Sequence, residues 1–311
     1  MVETSLAGLS LKKIMRRAYE RHVAVPAFNI PYLPMVKPVA ETLKKLGSFA
    51  LIQVALVEIK RFGSRSFTAV AEEYRRHEDR DYMRLHQDHV PVIDEDYTPV
   101  DWRPYTREAL AAGFDSVMID GSRLPLEENI AATKAVVAMA HPDVPVEAEL
   151  GSVLGHEEGP LPSYEELFRS GKGFTNAGEA ERFVRETGAD WLSVACGNIH
   201  GAIRGVALNE KKAEARLHLD LIRALSARLD LPLVLHGGSG INLDSLLAAI
   251  ACGITKINVG MELRQAYTLA MQAENDSERA REAVAQAVTG LLRRYRIEGS
   301  AKRLAAPGGQ S

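Results

Sequence analysis

Cysteine is scarce: Cys196 and Cys252 stand far apart, each inside an apolar segment. Two isolated thiols give no disulfide framework and point to reduced, buried cysteines in a cytoplasmic protein. No apolar run approaches the length of a membrane span, and the N-terminus lacks the apolar core of a signal peptide. Without a secretory signal, Asn275-Asp-Ser is a chance match to a glycosylation acceptor. Charge of one sign is lacking too: the net charge is −3 with 25% charged residues, which implies no general attraction to nucleic acid or acidic membranes. No G-x-G-x-x-G follows the first apolar run, so the dinucleotide fingerprint is missing. What is present is a 311-residue chain with 46% hydrophobic residues, enough to bury a large core.

Short β-rich runs alternate with amphipathic segments about eight times. The runs are Val23–Asn29, Phe49–Val54, Tyr82–Asp88, Ser116–Asp120, Val144–Leu150, Trp191–Cys196, Leu231–His236 and Ile254–Val259. Helical patterns lie between them, at Leu126–Ala140, Ala177–Glu186, Glu214–Arg228 and Leu243–Ala251 among others, and several stop at a glycine such as Gly113, Gly188 or Gly253. Continuous apolar strands interleaved with helices predict a parallel sheet covered on both faces. Eight such units predict a single-domain α/β protein over 1–311, a (β/α)8 TIM barrel, with a long last helix at about 262–296. A doubly wound open sheet is the alternative, with no nucleotide motif to support it.

Barrel active sites lie at the C-terminal ends of the strands. Those ends carry Asn29, Gln53, Asp88-His89, Asp120, Glu149, Gly197-Asn-Ile-His200, His236 and Asn258. For Asn29 or Gln53 alone, a polar residue that begins a loop explains the placement equally well, and Asp88-His89 alone can be a loop hydrogen bond. Together they suit metal-assisted proton transfer, in which neutral imidazoles hold a divalent cation and a carboxylate acts as base. His89, His200 and His236 at three strand ends make a candidate zinc site, and Asp88 a candidate base. His22, His77, His141, His156 and His218 read as structural or solvated, whereas His86, two residues before Asp88, shares its side of the strand and is placed to orient it. The glycine loops His236-Gly-Gly-Ser-Gly240 and Gly197–Gly201 suit an anion, or else a tight turn. Glu147 and Glu149 share one strand face and need a cation or donor nearby. From about 152 to 175 the chain reads as a long glycine-bearing loop, a lid in expectation, carrying Glu157 and Glu158.

These stretches resemble the class II, metal-dependent aldolases of the ketose-bisphosphate family, which includes fructose- and tagatose-bisphosphate aldolases. The likeness is carried by Pro26-Ala-Phe-Asn29, His86-Gln-Asp-His89, Gly113–Ser122, Val146-Glu-Ala-Glu-Leu-Gly151, Phe183–Asp190, His200-Gly201, Leu233–Gly240 and Gly253–Asn258, in order along nearly the whole chain. The resemblance implies Zn2+, or another divalent metal, on His89, His200 and His236. It also implies Asp88 as acid/base, Glu149 as a second or alternate metal position with Asp120 near it, and Glu157 as a loop glutamate that assists proton transfer. Gly201, Gly237, Ser239 and Asn258 match positions that hold the phosphorylated three-carbon half, where a monovalent cation is also common. The implied reaction is retro-aldol cleavage of a ketose phosphate through a metal-stabilised enediolate. Its products would be a dihydroxyacetone-phosphate-like fragment and an aldehyde, in a cytoplasmic homo-oligomer (dimer or tetramer).

Departures touch substrate recognition. Met261 stands where the family has a threonine, Ala55 where it has a serine, and Arg204 where it has a lysine. An acidic and aromatic insert, Val92–Trp102, follows the catalytic pair. Two rival readings remain: a metal-dependent isomerase or epimerase using the same first intermediate, and a sugar-phosphate-binding barrel without catalysis. Lys256, two residues before Asn258, raises a Schiff-base route as a further alternative.

Overall fold

The computed structural model describes residues 5–151, 164–198, 215–238 and 240–306. Eight parallel strands are β1 (Val25–Asn29), β2 (Ala50–Ala55), β3 (Met83–Asp88), β4 (Val117–Ile119), β5 (Val146–Leu150), β6 (Trp191–Val194), β7 (Leu233–Leu235) and β8 (Ile254–Val259). Their spatial order is β3-β2-β1-β8-β7-β6-β5-β4. A bridge between His86 and Ser116, with the Gln87 N–H donating to the Ser116 carbonyl at 2.9 Å, brings the two edges together into a (β/α)8 TIM barrel. Every strand residue is buried, as expected where one face meets helices and the other fills the barrel.

The interior is graded along its axis. Val25, Ala27, Leu51, Trp191 and Val234 fill the lower layers with Leu6, Leu9, Ile14 and Met15 beneath them. Arg17 ties the first helix, Leu11–Glu20, to the last, Ser300–Ala305, by donating to the carbonyls of Leu304 (3.0 Å) and Ala305 (3.1 Å). Above that apolar floor the inward positions turn polar: Gln53, His86, Glu147, Ser193 and Lys256, then Asn29, Asp88, Glu149, His236 and Asn258. Register is staggered between strands: Gln53 pairs with His86 within one layer, whereas Asn29 pairs with Gln53 and Glu149 with Ser193 across two.

Three segments differ from the reading of the sequence. The helix expected over 262–296 is two, Met261–Glu274 and Ser277–Arg294. Asn275, in the left-handed conformation (φ 50°), ends the first, and the Asp276 carboxylate caps the second. Within the span read as a loop, Tyr164–Ser170 is helical, with acidic residues in its first turn. Two helices between β2 and β3 are absent from that reading: Leu56–Arg61 is too short to show a period, whereas Phe67–His77 buries Phe67, Val70, Ala71 and Tyr74 at helical spacing behind the Ser66 cap. Among the described residues no helix is long and apolar enough to cross a membrane.

Candidate active site

Asp88 ends β3 at the mouth of the barrel, 2% exposed. Asn29 on β1 donates to its Oδ2 at 2.9 Å, and Asn258 on β8 donates to its Oδ1 at 2.8 Å. Gln53 donates to the Asn29 Oδ1 at 2.8 Å, which turns the Asn29 amide so that its NH2 faces the carboxylate. Burial works against a charge on Asp88, but His89, Lys256, His236 and His86 around it hold the carboxyl well below the usual range. Asp88 is thus an ionised carboxylate fixed by two amides.

Beside it, the His89 and His236 rings lie 4.3 Å apart, centroid to centroid. His89 Nδ1 is 3.3 Å from an Asp120 oxygen and 3.9 Å from Glu149 Oε2, and His236 Nδ1 is 3.1 Å from the same Glu149 oxygen. Ligand-capable atoms of Asp88, His89 and His236, and separately of His89, Asp120 and Glu149, lie within 4.8 Å of one another. Glu149 Oε2 is buried without a hydrogen bond. Burial opposes a charge on His89, yet Asp88, Asp120 and Glu149 outweigh it and push the imidazole up to about 10. So much negative charge around two imidazoles asks for a cation, and mixed imidazole and carboxylate donors are those zinc and similar divalent metals take.

A layer below, Lys256 Nζ, fully buried, lies 2.8 Å from Glu147 Oε2 and 4.0 Å from Asp88 Oδ1. Glu147 Oε1 is 3.0 Å from His236 Nε2 and accepts from it when that nitrogen carries the proton, which leaves Nδ1 facing Glu149. His86 Nδ1 pairs with the Ser116 hydroxyl at 2.8 Å and its Nε2 lies 3.4 Å from Glu147. Burial, then Lys256, push His86 down to about 3, so it stays neutral. His86 therefore buttresses Glu147, and the two asparagines, not His86, orient Asp88. The Lys256 amine is engaged in an ion pair beneath the mouth, which disfavours the Schiff-base alternative.

Gly237 follows β7 with φ 69°, and the next N–H, that of Gly238, donates to the Asn258 carbonyl at 3.3 Å. A Cβ on Gly238 would sit 2.7 Å from Ile257, so the turn needs glycine to stay against β8. The insert folds as a small hairpin: Ile93 bridges Pro99, Asp96 pairs with Arg61 at 2.8 Å, and Val92 donates to the Asp120 carbonyl at 2.9 Å. Glu157, His200, Gly201, Arg204 and Ser239 lie outside the described residues. One buried acid escaped the sequence reading: Glu58, which accepts from the Ala55 N–H at 2.9 Å and from Asn29 at 3.2 Å. Its signal was a glutamate three positions beyond the last residue of β2, the spacing of a capping box.

A parallel barrel with an ionised carboxylate and an imidazole–carboxylate cluster at its C-terminal mouth defines the class: a barrel enzyme equipped for acid–base chemistry beside a cation-ready site. The family model described as fructose-bisphosphate aldolase class-II matches residues 9–301. Two relatives are each called 6-phospho-5-dehydro-2-deoxy-D-gluconate aldolase. That of Bacillus licheniformis is 35% identical over 85% of this chain and 82% of its own. That of Halalkalibacterium halodurans is 32% identical over 96% and 99%. Among solved structures, the YdjI aldolase of Escherichia coli K12 superposes with a TM-score of 0.74 at 26% identity, covering 94% of this chain and 98% of that one. The chain belongs to the class-II fructose-bisphosphate aldolase family, and is a carbon–carbon lyase.

Proposed function

We propose that this aldolase cleaves a phosphorylated ketose reversibly by a retro-aldol step, giving a dihydroxyacetone-phosphate-like fragment and an aldehyde. The observation that carries the reading is Asp88, ionised and held by Asn29 and Asn258 beside His89 and His236. Asp88 takes the proton of the substrate hydroxyl whose carbon becomes the aldehyde, and returns it in the reverse direction. His89 and His236, with His200 as the third ligand, hold a divalent cation, zinc being the first candidate, while Glu149 and Asp120 offer an alternate carboxylate position. When bound, such a cation supplies a Lewis acid that polarises the ketose carbonyl and takes up charge left on the carbon side. Glu147 holds the His236 ring through Nε2 so that Nδ1 faces the cation site. Gly201, Gly237, Ser239, Asn258 and Arg204 are the proposed contacts to the phosphorylated half, with Glu157 assisting proton transfer. A monovalent cation near the phosphate, a homo-oligomeric assembly and a cytoplasmic location complete the proposal.

The relatives' names make 6-phospho-5-dehydro-2-deoxy-D-gluconate the first compound to screen, beside ketose mono- and bisphosphates. The test is a metal analysis joined to a product assay for two carbonyl fragments. Two fragments from wild type and none from Asp88→Asn support the reading. An isomer as sole product, or full activity after exhaustive chelation, refutes it.

A further inference from the structure

At the corner of the mouth where β1, β2 and β8 end, Glu58 faces the site from the helix Leu56–Arg61. It is only 8% exposed, and both of its hydrogen bonds, from the Ala55 N–H and from Asn29, reach Oε2. Among the described residues no hydrogen bond reaches Oε1, which leaves that oxygen as a spare acceptor beside the one tied to Asn29. Asn29 Nδ2 donates to Asp88 at 2.9 Å and to Glu58 at 3.2 Å, so the two carboxyl oxygens lie no further apart than the sum of those distances. Ala55 and Met261 bring no hydroxyl to this corner, and Gly260 comes so close to Asn29 that a Cβ there would lie 3.3 Å from its Oδ1. The charged groups that act on Glu58 are Asp88 and Arg264, whose guanidinium lies over the Phe62 ring at 5.1 Å.

We infer that Glu58 is a specificity-determining residue: its Oε1 accepts a hydrogen bond from a substrate hydroxyl near the one Asp88 deprotonates, and it excludes a phosphate from that corner. The inference rests on the retro-aldol reading and narrows its substrate to a ketose carrying a single phosphate, with a free hydroxyl at the end lodged here. A capping role for the short helix does not require it, since the amide oxygen of glutamine accepts the same N–H groups; the charge and the second acceptor matter only to a ligand.

The test compares metal-loaded wild type, Glu58→Gln and Glu58→Ala at about pH 9, well above the raised Glu58 carboxyl, on ketose 1-phosphate, 6-phosphate and 1,6-bisphosphate of one chain length. Wild type should prefer one monophosphate to the bisphosphate in kcat/KM. Glu58→Gln should shrink that preference by about tenfold to a hundredfold, the worth of one hydrogen bond to a charged group, chiefly through KM, at unchanged circular dichroism. A preference for the bisphosphate in wild type overturns the inference. So does an unchanged ratio in both variants, even if all rates fall. Should wild type cleave none of the three, titration calorimetry with inorganic phosphate decides on Glu58, while the retro-aldol reading stands or falls separately on the product assay with 6-phospho-5-dehydro-2-deoxy-D-gluconate. At least about tenfold tighter binding to Glu58→Gln than to wild type sustains its role; equal binding ends it.

Discussion

Replacing Lys256 with methionine tests whether the layer beneath the mouth is held by charge. The ammonium is fully buried, 2.8 Å from Glu147 Oε2 and 4.0 Å from Asp88 Oδ1. Methionine keeps much of the stem's volume but leaves Glu147 buried with only imidazoles beside it. Removing one partner of a buried pair costs about 3–5 kcal/mol, because the survivor cannot be solvated. For a chain of this length that is on the order of 6–10 °C in Tm, at about 2 °C per kcal/mol. The double variant Lys256→Met/Glu147→Gln removes the orphaned charge, and should recover at least about 2 kcal/mol of the loss. Unfolding followed with chelator present separates this pair from any stabilisation by a bound cation. A second readout is chemical: Lys256 helps to keep Asp88 ionised, so the acid limb of kcat/KM should move to higher pH in Lys256→Met. A loss under about 1 kcal/mol, or a double variant no more stable than the single, refutes the charge argument.

His89→Ala and His236→Ala should each lose metal on dialysis and activity with it, measured by elemental analysis; stoichiometric metal in either variant would remove that residue from the site. Asn258→Ala deletes a 2.8 Å bond to the Asp88 carboxylate. At roughly 1.5–3 kcal/mol for such a bond, kcat/KM should fall about tenfold to a hundredfold and its acid limb rise, and an unmoved limb would count against Asp88 as the base. Glu58 gives a prediction about stability alone: burial, opposed by the Ala55 N–H and reinforced by Asp88, raises its carboxyl from 4.5 to about 7. A raised carboxyl contributes most below its unfolded value, and the contribution fades as pH climbs from about 4.5 through 7. Glu58→Gln should therefore gain stability over wild type at pH 8 relative to pH 4.5, on the order of 3 kcal/mol at 1.36 kcal/mol per pH unit. Parallel denaturation curves at the two pH values would contradict it.

By itself the sequence determined which residues stand at the mouth. Apolar runs of strand length ending in Asn29, Asp88-His89, Asp120, Glu149, His236 and Asn258 identify both the barrel and its functional end, since a parallel barrel presents all its strand C-termini on one side. Local periodicity and chain direction are enough to place them there. The tertiary structure decided who touches whom. That His86 supports Glu147 and not Asp88, that Lys256 lies under Glu147, and that one asparagine bridges Asp88 and Glu58 all depend on contacts across the barrel. Such contacts follow from strand register, the closure between His86 and Ser116, and the irregular step at Leu233/Val234, and none of these leaves a trace in local sequence. Glu58 shows the limit most plainly. A six-residue helix has no period to read, and only folding β1 against β2 turns an ordinary glutamate into a buried acid at the site.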